Sequence, residues 1–232
     1  MRNICFIGAY DKMDLVLCVA KILRLLGNRI LIVDATELQK TKYIVPTINP
    51  TSKYITRYED MDIALGFDDY TDISRYIEET EGHKMEYDYA LINIDDQDKF
   101  PHFNNGDTIK NFYVTTLELY AIRKGLETIK KIEKPINITK VIFSRSMSEE
   151  DEYYIDYLAL GYKIIWDEKK IDFPYTMEDI EAMMENQKNY RIRIKNLTQQ
   201  YRDNLEYLIS NISPDINLSN LRKAMKNLER EG

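Results

Sequence analysis

The chain has 232 residues, enough for one full domain of about 150 residues with an appendage. Hydrophobic residues make up 44% and charged residues 31%, which excludes wholesale disorder. Thirty-two Lys and Arg against 39 Asp and Glu leave a net charge of -7, which argues against broad nucleic-acid binding, because phosphate neutralisation needs a basic face.

From the N-terminus, Asn3 to Gly8 is a short apolar run without alternation, the pattern of a strand buried on both faces. Leu15 to Leu26 has apolar residues at helical spacing, with Asp14 as the expected N-cap and Gly27-Asn28 as the stop. Arg29 to Val33 is a second apolar strand, ending in Asp34. These residues form one βαβ unit, the opening of an α/β sheet. Glu37 to Pro50 reads as a connecting loop. Tyr54 to Tyr58 and Asp62 to Phe67 are expected to pair as an antiparallel hairpin around Glu59-Asp60-Met61.

A helix from Tyr70 to Glu79, a strand from Tyr89 to Ile94 ending in Asp95-Asp96, and a strand from Lys110 to Thr115 follow. Next come a helix from Leu117 to Lys130, a strand from Ile136 to Phe143, and a helix from Ser148 to Leu160 whose acidic start suits the helix dipole. Short elements at Tyr162 to Trp166 and Ile171 to Phe173 lead to helices at Met177 to Glu185, Arg193 to Ile212 and Leu218 to Glu229. The expected organisation is an α/β domain over 1–185, a mostly parallel sheet with helices on both faces, and a helical C-terminal extension over 186–232, packed on it or projecting from it.

Cys5 and Cys18 are the only cysteines, and both lie in apolar surroundings. With no Cys/His cluster, they indicate a reducing compartment and no zinc site. His83 and His102 lie near loops, far from any cysteine, and read as solvated. No apolar run approaches the roughly 20 residues a membrane helix requires, and the N-terminal apolar stretch is too short for a signal peptide. The expected location is cytoplasmic.

The layout strand, loop, helix, with Gly8 at the strand end and Lys12 before the helix, is that of a phosphate-binding loop. Gly and Lys at this spacing are a weak signal alone, and a generic α/β domain produces them by chance. The wider stretch says more. Asn3 to Thr36, with Val19-Ala20-Lys21-Ile22-Leu23, Leu26-Gly27-Asn28-Arg29-Ile30-Leu31 and Val33-Asp34, resembles the opening of the ParA/MinD family of P-loop ATPases. That family carries a loop of the form Lys-Gly-Gly-x-Gly-Lys-Thr, followed by Leu-Ala-x-x-Leu, Leu-Gly-x-x-Val and Asp-x-Asp. Tyr87 to Asn93 resembles its Walker B strand, Val114 to Leu119 its Val-Thr-x-Pro-Glu-Leu turn, and Phe173-Pro174-Tyr175 its late Ile-Pro-Tyr segment. The resemblance spans roughly 3–185 as a scattered frame.

The chemical letters depart from that pattern. Ile7 stands at the lysine that reaches across the family's dimer. Gly8 and Lys12 are kept, but Ala9 and Asp11 replace glycines. Met13 replaces the magnesium-binding Ser/Thr and is followed by Asp14. Thr36 replaces the second carboxylate of Asp-x-Asp, and Asn93 replaces the Walker B aspartate. A thioether is a poor ligand for a hard cation, and lost metal and positioning remove what phosphoryl transfer depends on. The resemblance therefore implies the ATPase fold with lost hydrolysis. Gly8, Lys12 and Asp14 remain as a degenerate nucleotide site, Asp34 and Asp95 as residual carboxylates, and the cofactor is either none or weakly bound ATP or ADP. The implied role is a non-hydrolysing localisation or scaffolding protein, similar in kind to the TadZ/CpaE branch. It would act as a homodimer with a protein partner in an envelope-associated or partition assembly.

Two rivals remain. One is a working positioning ATPase, with Asp34 or Asp95 supplying the metal carboxylate. The other is a membrane- or DNA-binding adaptor that uses the C-terminal helices. Residues 217–232 carry an apolar stripe of Leu218, Leu221, Met225 and Leu228, and a basic side of Arg222, Lys223, Lys226 and Arg230. A membrane surface would make the location peripheral at the inner face; a helix docked on its own domain or on a partner is the plainer expectation. The tail is expected to be dispensable for folding but needed for the protein's location or for partner binding. Arg191, Arg193 and Lys195 read as a solvated face rather than a nucleic-acid signal.

Overall fold

The computed structural model describes residues 1–46, 52–82, 84–104, 108–212 and 215–230. The strands are β1 (Arg2–Ile7), β2 (Ile30–Asp34), β3 (Tyr54–Tyr58), β4 (Met61–Leu65), β5 (Tyr89–Ile94), β6 (Thr108–Thr116), β7 (Ile136–Ser144), β8 (Ile164–Trp166) and β9 (Ile171–Pro174). The helices are α1 (Met13–Leu25), α2 (Thr41–Ile44), α3 (Tyr70–Glu81), α4 (Phe100–Phe103), α5 (Leu119–Glu127), α6 (Glu149–Leu158), α7 (Met177–Asn189), α8 (Gln199–Ser210) and α9 (Leu218–Arg230). His83 lies outside the described residues.

The strands form one nine-stranded sheet in the order β3-β4-β2-β5-β1-β6-β7-β8, with β9 also paired to β7. Every pairing is parallel except β3 with β4. Parallel neighbours require crossovers, and the helices of those crossovers cover both faces. The apolar runs of β1, β2 and β5 are accordingly buried almost throughout. Along β1 the alternation divides the core: Ile4 and Phe6 join a cluster with α1, α7, α8 and α9, while Cys5 and Ile7 join another with α3, α5 and α6. Because β1 sits between β5 and β6, the loop after it opens at the middle of the sheet's C-terminal edge.

Local chemistry sets the turns. Glu59 and Asp60 both have positive φ, 50° and 62°, as a two-residue hairpin matched to strand twist requires. Gly27 closes α1 at φ 93°, and the Asn28 side chain donates to the Leu23 carbonyl at 2.9 Å. Ser148 and Asp151 form a reciprocal capping box on α6.

Three expectations need correction. The helix expected from Arg193 starts only at Gln199, capped by Thr198, whose hydroxyl accepts from the Tyr201 amide at 3.2 Å. Ile192 and Ile194 are buried with exposed or half-exposed residues between and before them. That is an extended alternation, and it continues into the apolar spacing of α8 closely enough to imitate one helix. The side chain of Asn186 holds this segment by donating to the Arg193 carbonyl at 2.8 Å. Second, Asp14 is not the N-cap of α1. It lies inside the first turn, and the Asp11 carboxylate accepts from the Met13 amide at 3.4 Å. Third, the connecting stretch after β2 contains the single turn α2, and α4 follows β5; each has four residues, too few to show a period.

The last two helices are part of the core on one face. α8 lies on β9 and α1, and α9 lies on α1 and α8. Leu221, Ala224, Met225 and Leu228 are buried there, while Arg222, Lys223, Lys226 and Arg230 face out. Among the described residues no helix is long and apolar enough to cross a membrane.

Candidate functional site

The loop Gly8–Lys12 lies where β1 ends and α1 begins. Gly8 has φ +138°, and a Cβ there would stand 2.2 Å from the Val114 carbonyl oxygen of β6. Only glycine permits both that backbone and that approach. Gly125 of α5 closes the other side: its own Cβ would stand 3.3 Å from the Gly8 Cα. The loop is therefore wedged between a strand and a helix that the sequence places more than a hundred residues away.

Lys12 is only 2% exposed. Its ammonium donates to the Gly8 carbonyl, so it curls into its own loop. Burial lowers its pKa to about 8, and the carboxylates of Asp95, Asp34 and Asp11 oppose that shift. Asp11 is turned outward and pairs with Lys40 at 3.1 Å. Asp14 is held by the Gln187 amide, which donates to both carboxylate oxygens at 3.1 and 2.9 Å. Burial raises its pKa to about 6, against that hydrogen bond.

The two residual carboxylates are engaged. Asp34, 1% exposed, accepts from the Thr36 amide at 3.1 Å and hydroxyl at 2.6 Å, and from the Thr41 amide at 3.2 Å and hydroxyl. All four bonds tie down the chain after β2. Asp95 accepts from the Glu37 amide at 2.8 Å, and burial raises its pKa. Both stand close enough to Lys12 to act on its charge, but Asp34 serves its own loop.

A fold of this type implies magnesium, and the donor set does not fit it. Met13 is 1% and Asn93 4% exposed, and the Asn93 amide nitrogen lies 3.6 Å from the Met13 sulfur. The Asn93 amide oxygen is buried without a hydrogen-bond partner. A thioether against a carboxamide offers neither the charge nor the oxygen set that Mg²⁺ demands. Among the described residues no group of three His, Cys, Asp or Glu side chains converges as a metal site.

Beside the loop is a cavity of about 280 Å³, walled by Tyr10, Asp14, Phe143, Tyr175, Met183 and Tyr201, with Lys12 and Gln187 also lining it. The sequence marked the Phe173-Pro174-Tyr175 segment, but not Gln187 or Tyr201. Those come from α7 and α8, and no local spacing links them to the loop.

No family model matches the chain, and no curated protein matches its sequence. Solved structures match its shape. A ParA-family ATPase from Chlorobium tepidum superposes with a TM-score of 0.56 at 14% identity, over 89% of this chain and 96% of that one. The MinC:MinD cell division complex of Aquifex aeolicus gives 0.55 at 16%, over 90% and 96%. A plasmid partition protein of Borrelia burgdorferi bound to AMPPNP gives 0.52 at 12%, over 97% and 98%. The chain has the ParA/MinD-like α/β fold, a mostly parallel sheet flanked by helices with a helical C-terminus.

Proposed function

We propose that this chain is a non-hydrolysing localisation or scaffolding protein built on the fold of the ParA/MinD positioning ATPases. The observation that carries the reading is the buried Met13–Asn93 contact, a thioether and an amide where the resemblance puts a metal-binding hydroxyl and a carboxylate. Such a pair offers Mg²⁺ no anionic oxygen and gives no charge to organise an attacking water, so both electrostatic stabilisation and positioning of phosphoryl transfer are lost. The likeness to structures of partition and cell-division proteins supports a positioning role at the level of fold.

Nucleotide, if bound, is held weakly, because Lys12 is engaged with Gly8 and Asp11 adds a negative charge to the loop. The reading includes a homodimer formed without nucleotide. Leu119 and Tyr120, exposed at the start of α5 beside the loop, offer apolar surface for it. Recruitment to an assembly then runs through a protein partner.

The test is steady-state and single-turnover ATP hydrolysis with and without Mg²⁺. The expected result is no Mg²⁺-dependent turnover in the wild type, with Mg²⁺-dependent nucleotide binding gained in a Met13→Thr/Asn93→Asp variant. Turnover that requires Mg²⁺ and that Lys12→Ala abolishes would overturn the reading.

A further inference from the structure

The cavity beside the loop has a chemistry opposite to that of a phosphate site. Three aspartates, Asp11, Asp14 and Asp179, line it against the single lysine Lys12, and two of the three are already committed. Asp11 pairs with Lys40. Asp179 is buried and saturated by the Thr176 hydroxyl, the Thr198 amide at 2.8 Å and the Thr198 hydroxyl at 3.1 Å. Asp14 is different. Its only side-chain partner among the described residues is the single Gln187 amide nitrogen, and an ionised carboxylate has about four lone-pair sites. Lys12, the local cation, is turned away onto the Gly8 carbonyl.

The rest of the wall is aromatic and thioether. Tyr10 packs on Phe143 with ring centroids 5.0 Å apart, and Phe143 faces Tyr201 at 6.2 Å. Met183 and the 51%-exposed Met184 close the α7 side. Tyr201 supplies an independent pointer to a ligand. It is only 3% exposed, it lines the cavity, and its hydroxyl has no hydrogen-bond partner among the described residues. The ring is buried while the hydroxyl is left open to the cavity, so a ligand there can bond to it without displacing a protein partner.

We propose that this cavity binds a small organic cation, an ammonium group on a compact apolar body. Asp14 is its counter-ion, the Tyr201 hydroxyl accepts a hydrogen bond from it, and the ring of Tyr10, backed by Phe143, meets its positive charge. Cation–π contact, a charge-assisted hydrogen bond and methionine's adaptable packing act together in such a pocket. The volume of about 280 Å³ lies near the lower end of ordinary ligand sites, ~300–1,000 Å³, so the ligand is fragment-sized. The same carboxylates disfavour an anionic nucleotide, and the inference rests in that respect on the non-hydrolysing reading given above.

The experiment is calorimetric titration of the full chain with benzylammonium. Benzyl alcohol serves as the uncharged counterpart and ATP as the anionic one. The expected result is saturable binding of the amine, about ten-fold or more tighter than the alcohol, as one charge-assisted contact provides. Asp14→Asn should erase that advantage, and Tyr201→Phe should weaken the amine several-fold. Met184→Lys, at the exposed rim, should weaken the amine while the melting temperature stays unchanged, which covers the case of a buried variant that does not fold. Equal affinities for amine and alcohol, amine binding that survives Asp14→Asn, or no saturable amine binding up to about 10 mM would each overturn the proposal. ATP binding without amine binding would overturn it too while leaving the non-hydrolysing reading standing; Mg²⁺-dependent turnover would sink that reading instead.

Discussion

The loop after β1 and the C-terminal helix α9 were the two regions whose sequence pointed outward, one to a ligand and the other to a partner or membrane. They have turned out differently. In the loop, packing fixes the backbone while the side chains offer no metal-binding set: Gly8 is wedged under Val114, and Met13 and Asn93 face each other. In α9 the side chains are those of an amphipathic surface helix, but the apolar stripe from Leu221 onward is already used, and only Leu218 of it is left exposed. Leu221 and Leu228 are 0% and 2% exposed in the cluster with α1 and α8. Backbone packing can thus fix a loop's shape whatever its side chains carry, and an amphipathic stripe identifies a buried face without identifying what buries it.

The sharpest way to break the comparison is at the loop backbone. Gly8→Ala should destabilise the fold by about 3 kcal/mol or more, from left-handed strain plus a clash with the Val114 carbonyl. Urea unfolding measures it, and a loss below about 1 kcal/mol would mean that the wedge is soft. On the helix side, Leu221→Ala should cost about 2–5 kcal/mol by leaving a cavity between α9 and α1. The sequence led to the opposite expectation, a tail dispensable for folding. A near-neutral denaturation midpoint would restore that expectation.

A smaller effect separates charge from packing in the loop. Asp14 has a folded pKa near 6 against an ordinary 3.8, so the native state holds its proton longer than the unfolded chain. Its contribution to stability therefore falls as pH rises from about 4 through 6. Lys12 has a folded pKa near 8 against 10.5, so the native state loses its proton first, and stability rises as pH increases from about 8 towards 10.5. Between pH 6 and 8 both charged forms are penalised. Asp14→Asn should remove the acid-side slope and Lys12→Met the alkaline-side slope, each raising the melting temperature at pH 7. Thermal denaturation across pH checks this, and a wild-type profile flat over both windows would contradict it.

The smallest expected effect is at the exposed side of α9. Lys223→Glu with Lys226→Glu should shift stability by no more than about 0.5 kcal/mol, since neither charge packs against the core. Sedimentation with anionic vesicles, wild type against variant, then sharpens the comparison. Charge-dependent binding would show that α9 offers lipid its basic side alone, and absence of binding would leave α9 a core helix.

What was legible in the sequence was the part that short-range pattern encodes. The buried apolar runs of β1, β2 and β5 specified strands covered on both faces, and hence a parallel sheet. The hairpin turn at Glu59-Asp60 and the stop at Gly27-Asn28 were also local. So was the chemistry of Met13 and Asn93, because a thioether and an amide differ from a hydroxyl and a carboxylate in any fold. The boundary of α8 was not legible, since the extended alternation of Ile192 and Ile194 merges with the helical spacing after Thr198. Nor were the partners of Lys12 and Asp14, the walls of the cavity, or the fate of the α9 stripe. Gln187 and Tyr201 lie more than 170 residues from Asp14 along the chain and beside it in space. Periodicity says that a face is apolar or that a carboxylate is present; only the packing of α7, α8 and α9 on α1 decides which face is covered, which carboxylate is desolvated and which hydroxyl has no partner.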